Sequence, residues 1–387
     1  MSEIKVNSIK GVGASVAALS INNTDGTCTA NITNNLSNRN LIINGAMQVA
    51  QRGSASSSTQ GLATVDRFKK IGSGLGNTFS QEQITLSSSD TPYSSGFRKA
   101  FRVSQNQAGT ANASGAIDFS HYIEAQNVAG SGWNYTSSSS KITLQFWFRA
   151  STNQTFYGFL LTSDGTVQIN PFSFTASGNN TWTKVTKTFT GNSNITINND
   201  NGTGLIVYLI PYYGTDYQGS ISLDTWTTLA NNDYVPTMAS TWLTAGASTF
   251  DVTGMQLEVG SVATDFEHRS FGQELALCQR YYFQQPNPSG VGVVHSSANS
   301  SRYHGIEHPV PMRASPTVSI AATGSAHQIV TDGETNAVLT SIATQTTRSM
   351  NTGVILNLNT DLGNYRPAVL MVDSTYYETT WKFSAEL

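Results

Sequence analysis

The chain has 387 residues, with 24 acidic and 21 basic side chains, a formal net charge of −3 and only 12% charged residues. About a third of the residues are Ser, Thr or Asn, and aromatic residues make up 10%. This composition excludes an intrinsically disordered chain, and the balanced charge excludes nucleic acid as an expected partner. No apolar stretch reaches the roughly 18 residues of a membrane-spanning helix, so no membrane insertion is expected. The start of the chain lacks the apolar segment of a secretory signal.

Residues 1–39 contain short alternating apolar runs. The last two runs, at residues 19–21 and 28–32, flank Thr24-Asp25-Gly26-Thr27, and an Asp-Gly pair in this position is a strong hairpin signal. A segment of this length with one thin apolar face cannot bury that face alone. We expect residues 1–39 to pack on copies of themselves or on another protein. A flexible terminal arm is the alternative.

Residues 40–268 are predicted to form one β-rich domain. Strand-like runs recur at short intervals and are separated by turns rich in Ser, Gly and Asn. The predicted strands are Ile84–Leu86, Phe97–Val103, Ala116–Ala125, Lys141–Arg149, Phe156–Thr162, Trp182–Phe189, Gly204–Ile210 and Phe250–Val259. This many short strands without a long helical period indicate an all-β fold, a β-sandwich of the jelly-roll type.

One short helix is predicted within residues 269–285, where it would connect two β domains. Ser270 followed by Gln273 forms a capping-box pattern. Helical spacing places four residues on one face: Phe271, Leu275, Cys278 and Tyr282. Cys278 is therefore expected to be a small buried residue. The other cysteine, Cys28, is far away in the sequence, so no disulfide framework or metal site is predicted.

Residues 286–387 are predicted to form a second, smaller β domain. The predicted strands are Val291–Val294, Thr317–Ala321, His327–Thr331, Val338–Ile342, Gly353–Leu358, Ala368–Val372 and Thr379–Phe383. The final run, which contains Trp381 and Phe383, is apolar enough to be buried.

A zinc-protease pattern occurs in His304-Gly305-Ile306-Glu307-His308, and we interpret it as a coincidence. The chemistry requires the two histidines to lie one turn apart on a helix. Here a glycine lies inside the pattern, and His308 precedes a proline, which disfavours helical backbone geometry.

A carboxylate pair suited to glycan hydrolysis is not evident either. Asp118 and Glu124 lie on the same face of one predicted strand, but six residues of strand separate them by about 20 Å. Glycoside hydrolysis requires roughly 5 to 9.5 Å between the two carboxyl groups. We therefore predict no catalytic residue and do not expect an enzyme.

Glycan binding requires aromatic faces together with amides and hydroxyls, and this composition supplies both. Two clusters are prominent: Trp133-Asn134-Tyr135 in a Gly/Ser-rich loop, and Tyr212-Tyr213-Gly214-Thr215-Asp216-Tyr217 after a buried strand. Loop aromatics often bind ligands. The sugar-binding candidates are therefore Trp133, Tyr135, Tyr212, Tyr213 and Tyr217. Alternatively, these rings pack beneath the loops as an extension of the core.

Two long stretches resemble the two ends of a domain found in tail-fibre and receptor-binding proteins of tailed bacteriophages. Residues 40–53, Asn-Leu-Ile-Ile-Asn-Gly-Ala-Met-Gln-Val-Ala-Gln-Arg-Gly, followed by Thr64-Val65-Asp66-Arg67-Phe68, are similar to its beginning. Residues 252–269 and 274–282 are similar to its close. Ile4-Lys5-Val6-Asn7-Ser8-Ile9 is similar to virion-attachment segments in fibres of cyanophages and other marine phages, and residues 309–317 resemble a recurrent stretch in such fibres.

Within this region, residues 121–125, 143–150 and 181–185 are similar to strands of jelly-roll carbohydrate-binding modules. In such modules the sugar lies on the concave sheet face or in the rim loops. The resemblance implies that His121, Gln145 and Trp147 line that face. Similar modules often carry a structural calcium, which nothing in this sequence establishes, so no cofactor is predicted.

The sequence thus predicts a structural and binding protein of a phage particle. Residues 1–39 would attach a homotrimeric, fibre-like assembly to a tail or adaptor protein, and the jelly-roll domain would bind a host surface polysaccharide during adsorption. The expected location is the virion, as a tail fibre or at the capsid surface. One alternative is a capsid-bound decoration protein without a specific receptor, and another is a glycan-depolymerase tailspike.

Overall fold

A computed structural model describes residues 6–10, 12, 19–21, 28–30, 38–286, 295–298, 301–320, 324–331, 336–348, 350–358, 368–372 and 380–387. These residues form antiparallel sheets with short helices in the connections, which confirms the prediction of an all-β chain with a jelly-roll β-sandwich. Within these ranges, no helix has the length and apolar character needed to cross a membrane.

Three short strands near the N-terminus form a sheet in the order β1 (Ser8–Ile9), β2 (Leu19–Ile21), β3 (Cys28–Ala30). Ile21 lies opposite Cys28, so β2 and β3 pair on either side of the predicted Asp-Gly turn, whose own residues lie outside the described ranges. Three apolar side chains of this segment are exposed: Val6, Ile9 and Val12.

The sandwich consists of two sheets. Its strands are β4 (Phe68–Ser73), β5 (Phe79–Thr85), β6 (Lys99–Gln105), β7 (Ala116–Glu124), β8 (Lys141–Ala150), β9 (Thr155–Thr162), β10 (Gln168–Thr175), β11 (Thr183–Thr190), β12 (Thr203–Tyr213), β13 (Thr227–Thr228) and β14 (Ser248–Val259). The six-stranded sheet has the order β13-β10-β9-β12-β7-β4, and the five-stranded sheet has the order β11-β8-β14-β6-β5. Three short helices lie in the connections: α1 (Thr91–Ser94), α2 (Ala125–Ala129) and α3 (Thr241–Thr244).

The two-residue period of a strand decides which side chains fill the core between these sheets. In β8, alternate residues from Ile142 to Ala150 are fully buried against the other sheet, whereas Trp147 and Arg149 remain half-buried on the outer side. Phenylalanines dominate the interior, and Phe148 and Phe174 meet edge to face with 4.8 Å between their ring centroids. The packing of such rings against each other stabilises the fold by more than the burial of their apolar area alone.

Each of the eight strands predicted for this domain overlaps an observed strand, but β4, β10 and the two-residue β13 were not predicted. In β4, two consecutive lysines hide the alternation, yet the ammonium of Lys70 is buried and donates to the carbonyl of Phe79 at 2.7 Å. In β10, Pro171 argues against a strand. It nevertheless pairs with Phe159 of β9.

Helix α4 (Phe271–Gln279) begins with the predicted capping box, in which the Ser270 and Gln273 side chains each bond the other residue's backbone. Cys278 is buried, as predicted. The expected apolar face is wrong at both ends, because Phe271 is 56% exposed and Tyr282 has left the helix. Tyr282 begins a strand instead, so residues 269–285 are not helical throughout.

The remaining strands are β15 (Tyr282–Pro286), β16 (His295–Ala298), β17 (Ser301–Glu307), β18 (Thr317–Ile320), β19 (Gly324–Thr331), β20 (Asn336–Thr347), β21 (Asn351–Leu358), β22 (Ala368–Val372) and β23 (Thr380–Ser384). They form two sheets, with the orders β15-β23-β18 and β16-β17-β21-β20-β19-β22. Trp381 and Phe383 are buried, as predicted. The predicted strand Val291–Val294 lies outside the described ranges.

The protease-like pattern lies on β17 and the residue after it, where the backbone is extended. His308 is 7% exposed, contacts the hydroxyl of Thr352 through Nε2 at 2.9 Å and packs on Phe283 with a centroid distance of 5.2 Å. Two histidines on a strand do not present the helical geometry of a zinc protease, so the interpretation of a coincidence holds.

Arginines from the sandwich anchor the C-terminal end of the chain. Glu386 forms ion pairs with Arg67 and with Arg52, the latter at 3.0 Å. The guanidinium of Arg52 lies 3.4 Å from the centroid of the Tyr282 ring, and that of Arg67 lies 3.5 Å from the centroid of Tyr281. The two guanidinium groups stack on tyrosine rings and are mostly buried. They link the residues that precede β4 to the residues after α4 and to the C-terminal tail.

The stretches of sequence that open and close the sandwich pack directly against each other. The Asn40 side chain accepts a hydrogen bond from the backbone of Leu257 at 3.0 Å and donates to the carbonyl of Met255 at 3.2 Å. Arg269 donates to the Asn40 carbonyl at 2.6 Å. Residues 40–53 and 252–282 therefore form one seam, although more than 200 positions separate the paired residues.

Alanine at Gly45 should destabilise this seam. Its Cβ would lie 2.0 Å from the carbonyl oxygen of Met255, so the backbone of one stretch would have to move. We expect Gly45→Ala to lower the free energy of unfolding in urea by about 1–3 kcal/mol.

Gly272→Ala is the matched control, because an added Cβ there meets nothing within 4 Å and the residue lies in α4. It should leave stability unchanged or raise it by about 0.5–1 kcal/mol. Equal effects of the two substitutions would contradict the close contact at the seam.

Candidate functional site

The outer side of the six-stranded sheet carries a continuous aromatic surface. In β7 the inward positions include Phe119 and His121, so Ser120 and Tyr122 point outward. Tyr208 of β12 lies opposite Ser120 on one side and Phe159 of β9 on the other. Residues opposite each other in paired strands share a face, so these aromatic residues lie side by side on the outer surface.

Six rings form this surface, which we call the tyrosine face: Tyr122, Phe159, Tyr208, Tyr213, Tyr217 and Tyr234. Phe159 is central, with centroid distances of 4.6 Å to Tyr208 and 5.5 Å to Tyr234. Tyr217 then lies 5.2 Å from Tyr213 and 6.2 Å from Tyr234.

The connection between β12 and α3 positions two of these rings. It folds back on the sheet, where the backbone of Tyr234 donates to the carbonyl of Tyr217 at 3.1 Å and Gly219 donates to Val235 at 2.9 Å. Phe159 and Tyr213 are buried beneath the others, whereas Tyr122, Tyr208, Tyr217 and Tyr234 are half-buried. Ring surface and hydroxyl groups therefore remain accessible at four positions.

Polar groups accompany the rings. The hydroxyls of Tyr122 and Tyr208 lie 3.2 Å apart, and the ammonium of Lys69 lies 5.2 Å from the centroid of Tyr122. Burial, followed by the hydrogen bond with Tyr122, raises the pKa of Tyr208. Tyr208 is therefore neutral at physiological pH, and its hydroxyl acts as a hydrogen-bond donor and acceptor.

Asp118 lies below the tyrosine face. It is 6% exposed, and its Oδ2 accepts a hydrogen bond from the hydroxyl of Tyr213 at 3.0 Å. Burial raises the pKa of Asp118 to about 7, and the Tyr213 hydroxyl and the charge of Lys69 offset only part of this increase. The carboxyl group therefore supports Tyr213 from beneath rather than presenting a fixed negative charge to a ligand.

The chemistry of this arrangement suits a polyhydroxylated ligand. Tyrosine offers a rigid ring for the apolar face of a sugar and a hydroxyl for its polar edge, at little cost in conformational entropy. Rings fixed by their neighbours and by a returning loop lose little further freedom on binding.

The structure divides the predicted sugar-binding residues among four places. Tyr213 and Tyr217 belong to the tyrosine face, and Tyr212 is 4% exposed next to them in the core. Trp133 is 2% exposed, and Tyr135 packs against it with a hydroxyl that donates to the carbonyl of Ile197 at 3.3 Å. Trp133 and Tyr135 therefore pack beneath their loop as an extension of the core. The Trp133 ring leaves almost no surface for a sugar.

His121, Gln145 and Trp147, which the resemblance places on one face, are not together. His121 points into the core, where it packs on Phe68 with a centroid distance of 5.0 Å. Burial and the charge of Arg67 hold its pKa well below the ordinary value. Gln145 and Trp147 lie on the outer side of the five-stranded sheet. The expected grouping is therefore wrong for His121, since β7 places alternate residues on opposite sides.

Sequence reasoning missed Tyr122, Phe159, Tyr208 and Tyr234 as members of the site. The run Gly204–Ile210 reads as a buried strand, which hides the outward position of Tyr208 within it. A signal was present, because Tyr122 and Tyr208 are aromatic residues at positions opposite in phase to the apolar core positions of their strands.

Neither Asp118 nor Glu124 is placed for hydrolysis. Both lie on β7, at the separation of about 20 Å that a strand imposes on residues six apart. Glu124 is buried and paired with Arg280, whose Nε and Nη2 each lie 2.8 Å from its carboxylate oxygens. Among the described residues, no group of three or more His, Cys, Asp or Glu side chains could hold a metal ion.

No family model matches the chain, and no curated protein matches it. Among solved structures, the enzymatically active domain of tailspike protein 4 from bacteriophage CBA120 aligns with a TM-score of 0.30 and 10% identity over 57% of this chain and 21% of that one. A CBM4 module aligns with a TM-score of 0.28 and 10% identity, over 57% of this chain and 99% of that one. A family 11 carbohydrate-binding module from Clostridium thermocellum aligns with a TM-score of 0.27 and 9% identity, over 56% and 99%.

The substitution Asp118→Asn should change how the free energy of unfolding depends on pH. A carboxyl group whose pKa is about 7 in the folded protein, against an ordinary value of 3.8, binds a proton that the unfolded chain has already released. The contribution of Asp118 to the stability of the wild-type protein should therefore fall as pH rises from about 4 to above 7, with a slope of up to about 1.4 kcal/mol per pH unit. Asp118→Asn removes that component and keeps an acceptor for the Tyr213 hydroxyl.

The measurement is urea unfolding at several pH values between 4 and 8, with Asp216→Asn, an exposed position nearby, as control. The difference in unfolding free energy between Asp118→Asn and wild type should rise with pH. A constant difference would show that the Asp118 carboxyl is not protonated in the folded protein.

Proposed function

We propose that this protein binds a bacterial surface glycan on its tyrosine face, as the receptor-binding fibre protein of a tailed phage. The observation that carries glycan binding is the set of half-buried tyrosine rings tiled across an outer sheet face. The resemblance of residues 40–53 and 252–282 to the ends of a phage fibre domain supports the phage assignment. The contact of these two stretches in one seam is consistent with a single domain.

The surface favours stacking over charge recognition. Asp118 is shielded from solvent, and Lys69 is the cation next to the exposed rings. A sugar ring lying on Tyr208 would meet the hydroxyl of Tyr122 at its edge, since the two hydroxyls are 3.2 Å apart. We infer that the ligand is a largely uncharged stretch of polysaccharide.

We also propose that the protein acts as a trimer attached to the virion through its N-terminal segment. Three apolar side chains of this segment are exposed, at 40% for Val6, 51% for Ile9 and 109% for Val12. Covering them with copies of the chain or with another protein would stabilise the assembly. Three copies would present three weak sites to a repetitive receptor, which raises the overall affinity without new contacts.

Removal of two exposed rings should weaken glycan binding. We expect the double variant Tyr122→Ala/Tyr208→Ala to lose at least about tenfold in affinity for the surface polysaccharide of susceptible cells, equivalent to about 1.4 kcal/mol. The measurement is calorimetric titration with purified polysaccharide, together with competition for phage adsorption. Tyr135→Ala is the control, because it also removes a half-buried tyrosine but lies in the rim loop.

If Tyr135→Ala reduces binding while the double variant does not, the site is the rim loop and the tyrosine-face assignment is wrong. If the wild-type protein does not compete for adsorption, the receptor-binding proposal is wrong. The alternative of a decoration protein without a specific receptor then applies. The same incubations, assayed for reducing ends, should show no increase, because we propose binding without catalysis. New reducing ends would identify a depolymerase.

The oligomeric state can be tested separately. Light scattering should give about three times the chain mass of 41.5 kDa. Replacement of Val6 and Ile9 by Ser should lower the measured mass if this apolar segment lies in the trimer interface. A monomer mass for the wild-type protein would contradict the trimer.

A further inference from the structure

The opposite side of the sandwich contains a cleft that the tyrosine face does not use. It has a volume of about 350 Å³ and lies on the outer side of the five-stranded sheet. Residues on its lining include Ser95, Gln145, Trp147, Lys184, Phe266 and His268. Lys184 of β11 pairs directly with Trp147 of β8, so the ammonium and the indole ring extend from neighbouring positions of one face.

The floor of the cleft includes the buried amide of Gln145. Gln145 is 2% exposed, and its Nε2 donates to the carbonyl of Thr264 at 2.6 Å, which fixes the orientation of the amide. Its Oε1 has no hydrogen-bond partner in the described part of the chain. Because this oxygen is itself buried, the Gln145 amide forms part of the cleft floor and is not placed to contact a ligand.

The side of the cleft carries a cation that the described residues leave unpaired. Lys184 is exposed, and no described carboxylate lies within ion-pair distance of its ammonium. Asp265 is the acidic residue on the lining, and its backbone carbonyl accepts a hydrogen bond from Arg39. An anionic group bound beside Trp147 would therefore meet a positive charge.

The walls are held in place before any ligand binds. Phe97 packs on Phe266 at 4.8 Å and on His268 at 5.2 Å between ring centroids, and the His268 Nε2 lies 2.9 Å from the carbonyl of Ser95. Pre-formed walls reduce the entropic cost of binding.

Asp90 secures the start of α1, the short helix and its flanking turn that precede Ser95. Its Oδ1 accepts hydrogen bonds from the Trp182 indole and from Arg149, both at 2.8 Å. Burial alone would raise the pKa of Asp90, but the hydrogen bonds from Ser87 and Trp182 and the Arg149 charge hold it below the ordinary value. The start of α1 is therefore tied to the sheet by an ionised carboxylate.

We propose that this cleft binds a carboxylated sugar residue, with the sugar ring on Trp147 and the carboxylate at Lys184. The site is separate from the tyrosine face, because the two lie on opposite sides of the sandwich. A protein with both sites would hold an uncharged and an acidic part of a surface polysaccharide, or two chains, at once.

The test uses trigalacturonic acid and its uncharged methyl ester as probes, with NMR detection of the Trp147 indole N–H, assigned by Trp147→Phe. The acid should shift this signal at millimolar concentrations and bind about fivefold more tightly than the ester, which is what an exposed ion pair of about 1 kcal/mol provides. Lys184→Met should abolish the difference between acid and ester.

Lys141→Met removes the same charge from an exposed position on the same sheet and should change the affinity less than about twofold. Tyr122→Ala/Tyr208→Ala should leave binding in the cleft unchanged, so failure of the tyrosine-face function does not affect this result. No shift of the Trp147 signal, equal binding of acid and ester, or equal effects of the two lysine substitutions would overturn the proposal.

Discussion

The alternation of side chains along paired strands is the constraint on which the rest of this structure depends. In a sandwich, every strand must direct one set of residues into the space between the sheets, and the register of each pair then decides what lies on the outer surfaces. Phe148 and Phe174 occupy the interior because their strands meet there. Tyr208 and Trp147 belong to the complementary sets, which places one on each outer face.

Electrostatics has a limited and local part in this protein. The few charges are concentrated where distant stretches of chain meet, as in the pairing of Glu124 with Arg280 and of Glu386 with Arg67. Buried pairs of this kind fix geometry more reliably than they add stability, since removal of one partner leaves an uncompensated charge. The outer faces are consequently rich in hydroxyls, amides and rings, and the proposed sites rely on those groups, with one lysine beside each.

Much of the architecture was predictable from the sequence, because alternation and turn composition are local properties. The capping box at Ser270 and the pairing of β2 with β3 were both evident from a few residues. Strand β10 was not predictable, because it contains Pro171, which disfavours a strand. Only the structure shows that Pro171 pairs with Phe159 of the neighbouring strand. The aromatic residues were the least predictable part. Trp133 appears in a loop yet is buried, and Tyr208 appears in a buried strand yet reaches the surface. Alternation indicates the side of the strand on which a residue lies, but the exposure of that residue depends on which elements pack above it.

The central claim is that sugar stacks on the tyrosine face, and fluorine NMR of protein labelled with fluorotyrosine tests it most directly. The chain contains 15 tyrosines, so single substitutions can assign the signals. Titration with an oligosaccharide from the receptor polysaccharide should shift the signals of Tyr122, Tyr208, Tyr217 and Tyr234, while that of Tyr135 remains unchanged. A shift confined to Tyr135, or no shift of the four face signals at saturating ligand, would contradict the account.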